Sequence, residues 1–191
     1  MKVTTLLALA AGAFGGLVAA ERWVAGLVAR GEGPDPVMRM VVLIEAPIEA
    51  VWEEIADVER QPLWMSEMKR VRVLSPGPLR VGSRAEADVR IFMVGVVDEV
   101  EIDVFEPPFR FGIRHAGAWS GQGLITLEAV DGGRTLVRWT ERLWPPVLPA
   151  LTQALQKPVL GGIFQADLER LKEIVEAGWA ETHAGAGADA G

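Results

Sequence analysis

The stretch from Lys69 to Leu143 constrains the fold most, because polar and apolar residues alternate through nearly all of it. Arg84, Glu86, Asp88 and Arg90 alternate with Ala85, Ala87, Val89 and Ile91; Glu99, Glu101 and Asp103 alternate with Val100, Ile102 and Val104. A period of two is that of a strand with one wet face and one buried face. Gly95 separates these two runs, and Asp131-Gly132-Gly133 separates two later ones over 119–130 and 135–143, so hairpins are expected at both places. Pro107-Pro108 turns the chain into Phe109, Phe111, Ile113 and His115. Upstream, Met38, Met40, Val42 and Ile44 mark a first strand. Beyond Pro47, Ile48, Val51, Trp52 and Ile55 stand at helical spacing, and a second short helical turn carries Leu63, Trp64 and Met68.

A sheet with one apolar face needs an apolar cover. Leu160, Ile163, Phe164, Leu168, Leu171, Ile174 and Val175 recur at three and four residues, with Glu169, Arg170, Lys172, Glu173 and Glu176 on the other side. The order predicts an α+β domain over 37–177: a curved antiparallel sheet of six or seven strands wrapped around a long C-terminal helix, with two short helices after the first strand. Residues 31–36 (GEGPDP) read as a linker. Residues 178–191, mostly Ala and Gly, read as a disordered tail.

The N-terminal 30 residues form a separate unit. No charge occurs from Val3 to Ala20, and a helix of that length spans ~27 Å, close to a bilayer's hydrocarbon thickness. Three readings fit: a membrane anchor, a signal peptide cut before Glu21 after Val18-Ala19-Ala20, or a helix packed on the domain. The expected localisation is therefore membrane-anchored, or exported if the segment is cleaved, with the membrane as a partner.

Charge and residue counts narrow the chemistry. The formal net charge is −7 and the basic residues are scattered, so no positive stripe offers itself to phosphates and no nucleic-acid partner is expected. There is no cysteine and no tyrosine, and the two histidines lie far apart; neither a metal nor a cofactor is expected. The run Asp98, Glu99, Glu101 and Asp103 reads mainly as a solvated strand face.

Five segments carry a resemblance: EAPIEAVWEEIADVERQPLW (45–64), PGPLRVGSRAEADV (76–89), EPPFRF (106–111), DGGRTLVRW (131–139) and FQADLERLKEIVE (164–176). In order and spacing the chain resembles the START-like SRPBCC superfamily, in particular its polyketide cyclase/dehydrase-type members. The resemblance implies a helix-grip fold with a deep cavity between sheet and long helix. The superfamily includes cyclases, lipid carriers, hormone receptors and quinone-binding proteins, so it implies an apolar ligand and names no reaction.

Strand parity points Ile91, Val100, Ile102, Val104, Phe111, Ile113, Trp119, Ile125, Leu127, Val137 and Trp139 inward, while Trp64, Leu160, Phe164 and Leu168 close the walls. Most of these serve equally well as plain core. Three polar residues share the inward parity: Asp98, His115 and Glu141. Each needs a partner or a wet cavity, and together they are the candidates for orienting a ligand or moving a proton. The breakers between Trp144 and Phe164, including Pro158 and Gly161-Gly162, predict either a mobile lid or a rigid kink. Three functions stay open: a carrier or sensor of a lipid, quinone or polyketide-like molecule; a cyclase/dehydrase-type enzyme; or an interaction module with a closed cavity.

Overall fold

The computed structural model describes residues 3–32, 35–91, 94–117, 119–144 and 149–184; side chains are described for these except 3–11, 91, 94, 149, 151, 153–155 and 183–184. Helix α1 (Val3–Ala29) precedes β1 (Met38–Ile44), α2 (Ile48–Ala56) and a single 3₁₀ turn (Gln61–Leu63). Six further strands follow: β2 (Met68–Val73), β3 (Arg84–Ile91), β4 (Val94–Glu106), β5 (Arg110–His115), β6 (Ser120–Val130) and β7 (Arg134–Trp144). Helix α3 (Pro149–Ala184) closes the chain. The strands form one antiparallel, curved, open sheet in the order β1-β7-β6-β5-β4-β3-β2, gripping α3: the α+β helix-grip expected from the patterning.

Alternation sets the faces. Along β7, Thr135, Val137, Trp139, Glu141 and Leu143 are buried, while Arg138 and Arg142 face water. The wet face is laced with Arg–carboxylate pairs, among them Arg84–Glu99 at 2.6 Å and Arg114–Glu101 at 3.1 Å. The carboxylates of the β4 run are thus spent on neighbouring strands. Gly132 and Gly133 have φ of 81° and 73°, which lets the β6–β7 hairpin close tightly.

Helix α3 lays Leu160, Phe164, Leu168, Leu171 and Val175 on the concave face, all buried. Each such side chain contributes about 1.5–3 kcal/mol when fully removed from water. The same helix covers the free edge of β1 with polar groups. Gln165 accepts from the Val41 N–H (3.2 Å) and donates to the Val41 carbonyl (3.0 Å); Lys172 donates to the Leu43 carbonyl at 2.9 Å, and Glu176 accepts from the Glu45 N–H at 2.7 Å. An exposed strand edge is thereby satisfied without a further strand.

Three expectations change, and a fourth is left open. A register shift between Ile102 and Val104 reverses parity on β4, so Phe105 pairs with Phe111 and packs against Trp52 at 5.5 Å between ring centres. Val104 instead lies against Gly112, where a Cβ would stand 2.9 Å from it. Helix α3 runs unbroken through Pro158 and Gly161-Gly162 and on to Ala184, past the predicted tail boundary. Its first turns are held from outside, by Glu21 accepting from the Ala150 N–H (3.0 Å) and Gln156 donating to the Leu143 carbonyl (3.0 Å). Residues 145–148 of the predicted lid, and 185–191 of the predicted tail, lie outside the described residues.

The fourth concerns α1. Its second half is engaged by α3 through Glu21 and the buried Val24, which fits the third reading, a helix packed on the domain. A cut before Glu21 would fall inside this continuous helix. Among the residues whose side chains are described, which in α1 begin at Gly12, no helix is long and apolar enough to cross a membrane.

Candidate functional site

A cavity of about 110 Å³ lies between the concave face, Phe164 of α3 and the segment around Gln61 to Met68. Of the residues expected around a ligand, Val100, Ile102, Phe111, Ile113, His115, Trp119, Trp139, Glu141 and Phe164 line it, and so does Asp98. Trp64, Ile125, Val137, Leu160 and Leu168 do not. They are buried core, with Trp64, Val137 and Leu168 fully enclosed. The side chain of Ile91 lies outside the described residues.

The three inward polar residues meet. His115 Nδ1 lies 2.6 Å from Asp98 Oδ2, and its Nε2 lies 3.2 Å from Glu141 Oε1. The Trp139 indole N–H donates to Glu141 Oε2 at 3.0 Å. Asp98 and Glu141 are 5% and 3% exposed, so water cannot supply what the imidazole supplies. Burial alone would lower the imidazole pKa, but hydrogen bonds to Asp98 and Glu141, with their charges, outweigh it and push it up to about 9. His115 is therefore an imidazolium at neutral pH, donating from both nitrogens. Asp98 Oδ1 is buried and receives no hydrogen bond among the described residues.

This contact spans three strands, because β6 runs between β5 and β7. His115 stands opposite Gly121, and Glu141 opposite Gly123. Both glycines occupy the inward parity of β6, shared with Ile125 and Leu127, so a side-chain-free window opens between imidazole and carboxylate. A Cβ on Gly123 would stand 2.4 Å from Glu141 Oε2. The signal was available in the motif Gly121-Gln122-Gly123, two glycines at strand spacing on the buried side. Gly123→Ala is accordingly expected to drive Glu141 off His115, costing about 1–3 kcal/mol in urea denaturation.

A second buried acidic pair was not found by sequence reasoning. Glu67 lines the cavity and is 8% exposed; Asp167, on α3, is fully buried. Asp167 Oδ1 accepts from the Ser66 N–H at 3.0 Å, and Arg170 reaches the same oxygen at 3.4 Å. Burial, then the hydrogen bond to Asp167 and its charge, push Glu67 up to about 8, so it holds a proton at neutral pH. That proton is the donor in the Glu67–Asp167 hydrogen bond, since two ionised carboxylates have none between them. Asp167 falls within the apolar stripe of α3, three residues after Phe164 and one before Leu168, and that misfit was the legible sign.

The profile of the family described as polyketide cyclase / dehydrase and lipid transport matches residues 36–176. The chain belongs to that family. Solved structures share the fold across the matched region. A protein of Deinococcus radiodurans is 24% identical, covering 74% of this chain and 98% of its own, with a TM-score of 0.55. One from Thermus thermophilus is 22% identical, with coverage of 75% and 99% and a TM-score of 0.59. The Zhui aromatase/cyclase from Streptomyces is 16% identical, with coverage of 72% and 94% and a TM-score of 0.55. No curated protein matches the chain in sequence. At these identities the structures establish the family's fold here and leave the reaction to the site.

Proposed function

We propose that this member of the family is a binding protein, a carrier or sensor, for a small hydrophobic ligand held between the concave sheet and α3. One observation carries the reading: a partly open space walled by apolar side chains, with the Asp98–His115–Glu141 cluster set into one side. A fully packed core has no such space, and a surface interaction module has no use for it. The volume bounds the guest. Ligand pockets usually measure ~300–1,000 Å³, and an apolar cavity of ~150 Å³ admits benzene. At about 110 Å³ this cavity takes a single ring at most as it stands. A lipid, quinone or polyketide-like ligand enters only if the walls yield, so binding is coupled to opening.

Trp119 and Trp139 line the cavity and report on it. Toluene titrated into the full chain is expected to perturb tryptophan fluorescence saturably, with one molecule bound per chain by native mass spectrometry. Val100→Phe, which fills part of the space, is expected to weaken that binding at least tenfold. No saturable change for toluene, or none of the loss in Val100→Phe, overturns the reading.

The buried imidazolium favours a second reading, a cyclase/dehydrase-type enzyme in which His115 gives a proton to a ligand oxygen. Both of its N–H groups are held by carboxylates, so such a step must first break one of those bonds. Turnover that disappears in His115→Gln while ligand still binds would favour this reading over the carrier.

A further inference from the structure

The charged groups facing the cavity are biased toward accepting; of the neutral ones, the Ser83 hydroxyl accepts from the Arg80 N–H at 3.0 Å and keeps its own hydrogen to give. The Trp139 N–H is spent on Glu141, the Gln61 amide donates to the Ile55 carbonyl at 3.1 Å, and both N–H groups of His115 are held by carboxylates. Arg84 reaches the cavity with part of its side chain but gives its guanidinium to Glu99 on the wet face. On the accepting side, Asp98 Oδ1 is buried beside Gly117 and has no donor among the described residues, so a guest reaches it as the cavity wall yields. Two carboxylates around one imidazolium also leave one formal negative charge beside the space, where the low dielectric magnifies it. A buried unpaired acceptor is costly, and a guest that supplies the missing N–H or O–H removes that cost.

We propose that the cavity selects an apolar guest with a hydrogen-bond-donating head, an amine bound as its ammonium ahead of a hydroxyl, and rejects carboxylates. This rests on the cavity being a ligand site and adds what kind of head group that site takes. A carboxylate guest would place a second uncompensated anion beside Asp98 and Glu141, with the imidazolium already shared between them. An ammonium brings the charge to zero and gives Asp98 Oδ1 its donor, and charge-assisted bonds of this sort are about twice as strong as neutral ones. A hydroxyl supplies the donor without the charge.

Four one-ring probes separate these terms: benzylamine, benzyl alcohol, toluene and benzoate, titrated at pH 7 into the full chain by calorimetry and tryptophan fluorescence. Benzylamine is expected to bind at least tenfold more tightly than toluene, benzyl alcohol to fall between them, and benzoate to bind more weakly than toluene. In Asp98→Asn the preference for benzylamine over toluene should shrink at least fivefold. Glu141→Gln, which removes one charge on the other side of the imidazole, should shrink it too if Asp98→Asn does not fold. Glu99→Gln on the wet face should leave it intact. Benzoate binding as tightly as benzylamine overturns the proposal while sparing the cavity reading, as does a preference unmoved in whichever of the two variants folds. Failure of all four probes to bind overturns both.

Discussion

His115→Ala is expected to destabilise the chain by about 3–5 kcal/mol, measured as the shift in urea unfolding at pH 7, because it strands two buried carboxylates rather than removing one contact. Asp98 and Glu141 are 5% and 3% exposed, and their shared cation is the imidazolium between them. Without it, Asp98 loses the one side-chain partner it has among the described residues, while Glu141 keeps the Trp139 N–H. The comparison with Glu141→Gln is decisive. Glutamine keeps an acceptor for Trp139 and removes one of the two charges, so its cost should be well under half that of His115→Ala. The triple replacement by apolar residues of similar size should recover much of the loss, since a buried ionic cluster is often worth little against good packing. A loss below about 1 kcal/mol for His115→Ala would mean that water or a backbone shift relieves the carboxylates, and that the cluster is not the closed unit described above.

How much of this was legible follows from what strand parity encodes. Parity reports which face a side chain takes, so Asp98, His115 and Glu141 were placed inward correctly, as were Phe111, Ile113 and Trp139. Parity carries no register between strands. That the three residues meet depends on Gly121 and Gly123 leaving β6 bare where it crosses between them, a fact about pairing. Parity also fails where one extra residue enters a strand, which is how Phe105 replaced Val104 on the inner face. Cavity and core could not be separated from composition. Ile125, Val137 and Leu168 have the same character as Ile102 and Ile113, and only the unfilled space distinguishes them. Pro158 and the glycine pair were read as breakers because propensity is local. Tertiary contacts from Glu21 and to Leu143 hold the helix through them. Glu67 escaped because it sits in a short irregular segment with no period to violate.

The two buried proton-holding groups make a joint expectation about alkaline pH. His115 rises from 6.5 to about 9 on folding, so the native state binds its proton more tightly than the unfolded chain does. The stability this adds is complete below pH 6.5 and is lost as pH climbs through 9. Glu67 rises from 4.5 to about 8, and its contribution is complete below 4.5 and gone above 8. Both slopes have the same sign, and they overlap between pH 6.5 and 8. Each proton held only by the native state steepens the loss by about 1.4 kcal/mol per pH unit, so two give roughly twice that in the overlap. Glu176 acts oppositely: burial pushes its pKa up, but the bonds to Lys172 and the Glu45 N–H outweigh that and hold it below 4.5, so its contribution is lost only as pH falls below 4.5. The melting temperature should therefore peak near pH 4.5, fall from there to pH 6.5, fall about twice as steeply between 6.5 and 8, and go on falling to pH 9. Glu67→Gln keeps a donor for Asp167 without a titrating proton, so it should remove the decline from pH 4.5 to 6.5, about halve it from 6.5 to 8, and leave the part from 8 to 9, which belongs to His115. A wild-type profile flat from pH 6.5 to 9 would show that neither proton is held by the fold. A decline unchanged in Glu67→Gln would place the whole effect on the imidazolium and leave the Asp167 pair without a role in it.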